Sequence, residues 1–324
     1  LTEAHATPRP SRAHCRVAWW PGVLLALLVL SSANRASGAS IAIVRTSDAD
    51  PYQQAAAAVR DQLSRRGQDV KDLLLKDVEQ RGVDQAIGKV DGIVAVGTSA
   101  AHWLHKALPT TQKLLYCMVS NPREAGLLEG GPASGVTTDV SNSAQIQIIA
   151  QALPGARVLG VLYRSDSAEG RRMLAALQKD LPTGWRAESV AVNECPSFAE
   201  AISTLMGKSP DVVWTTADGK LYDSAAVRAL LLASLRARIP VWGFSPAFVR
   251  AGALVGVGVD PHAQGEQAAD LLQQCLDDPA QIKRGPQPPR EFQIAVNLIV
   301  AQQLGISLPD SLTNRAAHVY GTEK

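Results

Sequence analysis

The chain has 324 residues, 46% of them hydrophobic, and a formal net charge of +2. That length supports two domains of ordinary size around a sizeable core. Acids and bases are mixed along it, and the absence of a basic run or an aromatic-basic patch argues against a nucleic-acid partner.

Taken in chain order, Arg9, Arg12 and Arg16 come first, then an uncharged apolar run over 17–30 and small residues up to Ala39. A positive start, a short apolar stretch and a small-residue end are the parts of a secretion signal. Residues 1–39 are therefore expected to be a cleavable signal peptide, with Ser37 at the minus-three place and a mature chain starting near Ser40. The run falls short of the ~20 residues that cross a bilayer, and Pro21, Gly22 and Arg35 shorten it further. An uncleaved anchor helix is the alternative. Cys15 precedes the apolar run, so it is not positioned as a lipoprotein cysteine. The opening Leu1 points to a truncated start or an unusual start codon.

Strands and helices then alternate. Apolar runs at 41–44, 70–75, 92–96 and 113–119 read as strands, and helical spacing at 52–66, 83–89 and 100–108 falls between or after them. A second series follows, with strands at 158–163, 187–192, 212–214, 241–244 and 255–259. Its helices are at 142–153, 169–181, 198–206, 224–236 and 265–276. Residues 283–290, rich in Pro and basic residues, read as a loop. Residues 292–296 read as a strand, 297–304 as a helix and 311–317 as a further turn or two. This alternation predicts βαβ units and parallel sheets. The expected division is an α/β lobe over 40–153, a second over 154–245, and a segment over 246–324 that returns to them. Ligands of open α/β sheets bind at the carboxyl ends of the strands, so two such sheets predict a shared crevice.

Cys117, Cys195 and Cys275 remain in the mature part, odd in number and far apart, so at most one pair can form. Cys117 lies in an apolar run and reads as a small buried hydrophobe. His102 and His105 stand three apart without a third ligand, and zinc-type spacing is lacking, so no metal is expected. No HExxH, G-x-S-x-G elbow, P-loop or dinucleotide fingerprint occurs, and no cofactor is expected.

The binding candidates lie at strand ends. Thr98 and Ser99 open a helix whose first-turn N–H groups favour a carboxylate or phosphate, although the same residues suit plain capping. Tyr52 can roof a ligand, while Asp50 and Pro51 fit a helix start. Ser120 and Asn121 follow a strand. An Asn side chain both donates and accepts, although Asn-Pro is also turn chemistry. Arg164 can fork onto a ligand carboxylate or be a solvated loop residue. Asp218 can meet a ligand ammonium, although Asp-Gly is an ordinary turn pair. Ser245 stands at the end of the next strand.

Four segments carry a family resemblance. They are PVWGFSPAFVRAGALVGVGVDPHAQGEQAADLL (240–272), NPREAGL (121–127), ASGVTTDVSNSAQIQIIAQALPGARVLGVLY (133–163) and VNLIVAQQLGISLPDSLTNRA (296–316). Together they resemble the periplasmic substrate-binding proteins of ABC transporters, in particular the group like tryptophan-binding components. The chain departs from that pattern at Asn121, where the family usually has Asp, at Pro132, and at His262, near which a tyrosine pair is common. The resemblance implies the type I periplasmic-binding-protein fold, two Rossmann-like lobes joined by a hinge. It places Asn121 and Asp218 in the cleft. It also implies a monomeric, non-enzymatic protein that captures a small polar ligand such as an amino acid and presents it to an inner-membrane permease. A sensing component read by a membrane receptor or kinase, and an enzyme built on this scaffold, are the alternatives.

Overall fold

The computed structural model describes residues 38–109, 111–129, 133–278 and 285–321. The expected signal segment up to residue 37 and Pro132 lie outside them. In chain order the first series is β1 Ser40–Arg45, α1 Asp50–Arg65, β2 Asp69–Leu74, α2 Leu75–Arg81, α3 Val83–Ala86, β3 Gly92–Val96, α4 Thr98–Ala107, β4 Leu114–Val119 and β5 Ser134–Thr137. The second is α5 Asn142–Ala152, β6 Val158–Tyr163, α6 Ala168–Asp180, β7 Arg186–Ala191, α7 Phe198–Gly207, β8 Val212–Trp214, α8 Ser224–Ala237, β9 Val241–Gly243, α9 Pro246–Ala251 and β10 Val255–Gly258. The chain closes with α10 Pro261–Asp277, β11 Gly285–Gln287, β12 Gln293–Asn297, α11 Leu298–Leu304, α12 Asp310–Thr313 and β13 His318–Tyr320.

These strands form two sheets. The first has the order β11-β5-β4-β3-β1-β2 and is parallel throughout. The second has the order β13-β12-β10-β9-β8-β6-β7 and is parallel except where β12 runs against β10. In both, the strand order reverses beside the first strand of the series, the doubly wound arrangement that opens a crevice at the strands' carboxyl ends. The interior strands are short apolar runs such as GIVAV and VLGVLY, buried along nearly their whole length. That pattern belongs to parallel strands covered on both faces. In the first lobe α1 and α10 cover one face, and α2 and α4 contribute to the other. In the second, α5 and α6 lie on one side, and α7, α8 and α9 pack a separate core.

The lobes exchange chain at places other than 153–154 and 245–246. Ile146, Ile148, Ile149 and Ala152 of α5 pack with Leu159, Val161 and Trp214 of the second sheet, so the first crossing is at 138–141. The second lobe continues through β10, and α10 then returns to the first, a crossing at 259–260. The third runs from β11 to β12 through 288–292. Two buried glutamines of α10 hold these crossings in place. The Gln264 side chain, 2% exposed, accepts from Met118 N (3.1 Å) and donates to the Thr137 carbonyl (3.0 Å). Gln267 donates to Pro288 O (2.9 Å) and accepts from Arg290 N (2.9 Å).

Cys117, Cys195 and Cys275 are free. Burial pushes the Cys117 thiol up to about 12, so it stays an uncharged core group. Among the described residues no helix is long and apolar enough to cross a membrane.

Candidate functional site

The loops at the strands' carboxyl ends enclose a cavity of about 780 Å³, within the range of small-molecule sites. Its walls come from the start of α1, the 118–124 turn after β4, the first two crossings, α6, and the turns after β8, β9 and β10. Both lobes and the segments that join them therefore contribute.

Gln145 of α5 organises the floor. Its Oε1 accepts from the indole N–H of Trp214 (3.1 Å) and of Trp242 (2.9 Å), and its Nε2 donates to Val140 O (2.8 Å). Both indoles are buried, at 2% and 1% exposed, where a donor without an acceptor is costly. One side chain thus ties β8 and β9 to the first crossing. On the opposite wall the β4–β5 register slips between Tyr116 and Val119. Met118 there has φ 55°, and its N–H points to Gln264.

Four of the expected residues line the cavity, namely Ser120, Asn121, Asp218 and Ser245. Three of them also hold their own turns. Asn121, at φ 48°, accepts from Glu124 N (3.3 Å) and donates to the Glu124 carboxylate (3.2 Å). Asp218 accepts from Lys220 N (2.9 Å) and Leu221 N (3.2 Å), and Ser245 caps α9 by accepting from Phe248 N (3.2 Å). The side-chain atoms expected to meet a ligand are thus already bonded within the protein.

Tyr52, Thr98, Ser99 and Arg164 are not among the wall residues. Tyr52 packs on the core beside Gly97, whose φ of 97° and closeness to Thr46 and Tyr52 leave no room for a side chain. At the start of α4, Thr46 Oγ1 already accepts from Ala100 N (3.1 Å), so that N–H is taken before any ligand arrives. Arg164 forks onto Asp166 (3.0 and 3.2 Å) in its own loop. Replacing Thr46 by valine is expected to cost about 1 kcal/mol in urea denaturation, through loss of that bond, and to leave ligand affinity unchanged. The histidines of α4 are engaged too. His102 Nδ1 and His105 Nε2 each lie 2.7 Å from a carbonyl of the 121–129 turn, so each ring donates there. Among the described residues no group of three or more His, Cys, Asp or Glu is placed to hold a metal ion.

Of the charged wall residues, sequence reading singled out Asp218 alone. Glu124, Asp139, Glu169, Asp218 and Asp260 all line the cavity. Partial burial among the walls raises the Asp139 carboxyl above the usual range. The Asn121 N–H (3.2 Å) opposes that rise and the nearby Glu169 adds to it. Across the mouth, Lys220 of the second lobe meets Glu124 of the first at 3.5 Å. This pair is exposed and contributes little to stability.

Comparison with known proteins bears on this geometry. Residues 81–320 match the family described as ABC transporter substrate binding protein. A curated relative, a tyrosine-binding protein of Clostridioides difficile (strain R20291), is 24% identical over 195 residues, 58% of this chain and about half of that protein (55%). Among solved structures, a substrate binding protein with adhesive properties from Clostridium difficile, in a ligand-free, open form, matches with a TM-score of 0.70 and 19% identity. That match covers 88% of this chain and 100% of the other. A domain from Streptococcus pneumonia in complex with L-Trp matches with a TM-score of 0.62 at 19% identity, over 87% of this chain and 100% of that one. These structures share the two-lobed fold of type I periplasmic binding proteins. With the family matched over most of its length and its cavity walled by both lobes, this chain belongs to the ABC transporter substrate-binding proteins.

Proposed function

We propose that this protein captures a small polar solute in the interlobe cavity and delivers it to an ABC importer. The observation that carries the reading is the cavity itself. It lies at the carboxyl ends of both sheets and under the crossings, so a ligand there touches both lobes and the hinge at once. Such a ligand has more contacts when the lobes are closed, and only that difference can drive closure. Ser120, Asn121, Asp218 and Ser245 are the proposed contacts among the residues first singled out. The bonds they make within their turns orient them and leave lone pairs or amide hydrogens for a ligand.

The amino acids named for the relatives set the size class of the solute. The sites expected of enzymes have no counterpart in the sequence motifs, and the walls read as a binding surface. In this reading the protein works as a monomer in the periplasm after removal of its signal peptide, and its closed form is what a permease of the inner membrane recognises.

The test is thermal unfolding of the purified chain against amino acids, amines, purines, sugars and carboxylates. A solute at 100 times its dissociation constant is expected to add about 2.7 kcal/mol of stability. Absence of any shift across the panel would remove the support for solute capture.

A further inference from the structure

The charges on the cavity walls point to the class of solute, an inference that rests on the reading of this cavity as the solute site. Five carboxylates line it and, among the described residues, no lysine or arginine does. Two of the five have cations beside them. Glu169 is forked by Arg172 (2.8 and 3.1 Å), and Glu124 faces Lys220 at 3.5 Å. Asp218 accepts two backbone N–H groups and lies within electrostatic reach of Arg164. Among the described residues, Asp139 and Asp260 have no cationic partner. The Asp139 carboxylate accepts from Asn121 N (3.2 Å), and that of Asp260 accepts from His262 N (2.9 Å).

The position of these two acids matters as much as their number. Asp139 lies on the crossing at 138–141 and Asp260 on the crossing at 259–260. Glu124 comes from the first lobe, and Glu169 and Asp218 come from the second. Closing the lobes on an empty or neutral cavity brings these carboxylates together with fewer waters between them. Like charges then repel more strongly, because the dielectric around them falls. A cation in the cavity reverses the sign of each of those interactions. It would therefore bind the closed form better than the open one, which is what ligand-driven closure requires. A free carboxylate in the same place would meet no lysine or arginine among the described wall residues. Met118, Met173 and Phe244, also on the walls, offer apolar surface for a methylene chain.

We propose that the solute is an aliphatic amine of net positive charge, held by Asp139 and Asp260, and that a neutral zwitterionic amino acid is not the preferred ligand. Two sources carry this chemistry, amines without a carboxylate and cationic amino acids.

Calorimetric titration of the protein with putrescine, spermidine, L-lysine, L-arginine, L-tryptophan and L-tyrosine separates them. At least one of the four cations is expected to bind at least tenfold more tightly than either aromatic amino acid. Putrescine or spermidine ahead of lysine and arginine would mark the class without a carboxylate, and the reverse order the cationic amino acids. Asp139→Asn and Asp260→Asn are each expected to weaken the cation at least tenfold.

Two further readouts separate a charge effect from misfolding. The Asp139 carboxyl is raised in the folded protein, so its ionised form costs stability at neutral pH, and the cost shrinks as pH falls through its folded value and is gone below the unfolded one. The ligand-free Asp139→Asn protein is therefore expected to melt no lower than the parent at neutral pH. Cation affinity of the parent is expected to fall with acidification as Asp139 takes up its proton. His318 is the imidazole on the same walls.

Tight binding of tryptophan or tyrosine with no binding of the cations would overturn this charge assignment and leave solute capture standing. Cation affinity unchanged in both variants would also overturn it. Failure of every solute, in this set and in the broader panel, would overturn solute capture itself.

Discussion

Replacing Gln145 by leucine is expected to lower the unfolding free energy by about 2–4 kcal/mol, since a buried donor left without an acceptor costs roughly 1–3 kcal/mol. The substitution keeps most of the side-chain volume, so it tests hydrogen bonding rather than packing. It removes the common acceptor of the Trp214 and Trp242 indoles and the donor to Val140 O. Both indoles are all but inaccessible. Gln145 itself borders the cavity, so a water entering from the cleft can recover part of the loss, which keeps the figure below the sum of two full penalties. Gln145→Glu retains an acceptor for both indoles, gives up the bond to Val140 and sets a carboxylate against that carbonyl, so a loss smaller than that of leucine isolates the shared acceptor. Urea denaturation followed by tryptophan fluorescence reads both the stability and the environment of these two rings. Equal losses for leucine and glutamate would show that the shared acceptor is not what matters. Because Val140 and Gln145 lie at the first crossing, the leucine variant is also expected to bind its solute more weakly.

Much of the fold is legible in the sequence because its elements are local. The runs that became β6 and β8 have the same bounds in the structure, and α5, α6, α7 and α8 agree to within a residue or two. These segments carry their own periodicity and caps. Ser141, Ser167, Ser197 and Asp223 each accept from a first-turn N–H of the helix that follows. What escaped the reading depends on partners distant in sequence. Strand β5, SGVT, is too short and too small to stand out, and it exists because it pairs between β4 and β11. Strand β11, GPQ, lies in a stretch that reads as a loop, and its proline is tolerated because the strand is at a sheet edge. Helix α5 follows the first series in the chain but buries its isoleucines in the second lobe, and periodicity alone does not say against which sheet a helix packs.

The site was legible in the same uneven way. The strand-end rule located the loops, and Ser120, Asn121, Asp218 and Ser245 line the cavity. It also nominated Thr98 and Ser99, because a helix start looks available for an anion until Thr46, some fifty residues earlier, is seen to occupy one of its N–H groups. Asp139 and Glu169 were passed over because single acids in a mixed-charge chain read as solvated surface. Gln264 and Gln267 look like the polar face of an amphipathic helix, yet both are buried, at 2% and 6% exposed, and fastened to the crossings.

The contact between α1 and α10 supports the second large effect. Gly265 lies where α10 comes closest to α1. A Cβ on it would stand 2.2 Å from the carbonyl oxygen of Ala55 and 2.8 Å from Cβ of Ala58. The nearer atom belongs to the backbone, so no rotamer change relieves the clash and the two helices have to part. Gly265→Leu is expected to cost about 3 kcal/mol or more, the upper range for overpacking a well-packed core. Even Gly265→Ala is expected to destabilise, although alanine inside a helix gains about 1 kcal/mol over glycine. Trimming Ala58 to glycine should not rescue either variant, because it leaves the Ala55 carbonyl in place. Gly207, near the end of α7 with open space where a Cβ would go, supplies the control, and Gly207→Ala is expected to be neutral or mildly stabilising. The consequence reaches the cavity because α10 carries Gln264 and Gln267. A shift of this helix moves the acceptor from Met118 N and the donor from Thr137 O, and with them the turn that bears Ser120 and Asn121. Solute affinity should therefore fall along with stability in Gly265→Ala, whereas a substitution that merely loosened the first lobe would lower the melting temperature and leave the affinity of the folded fraction unchanged.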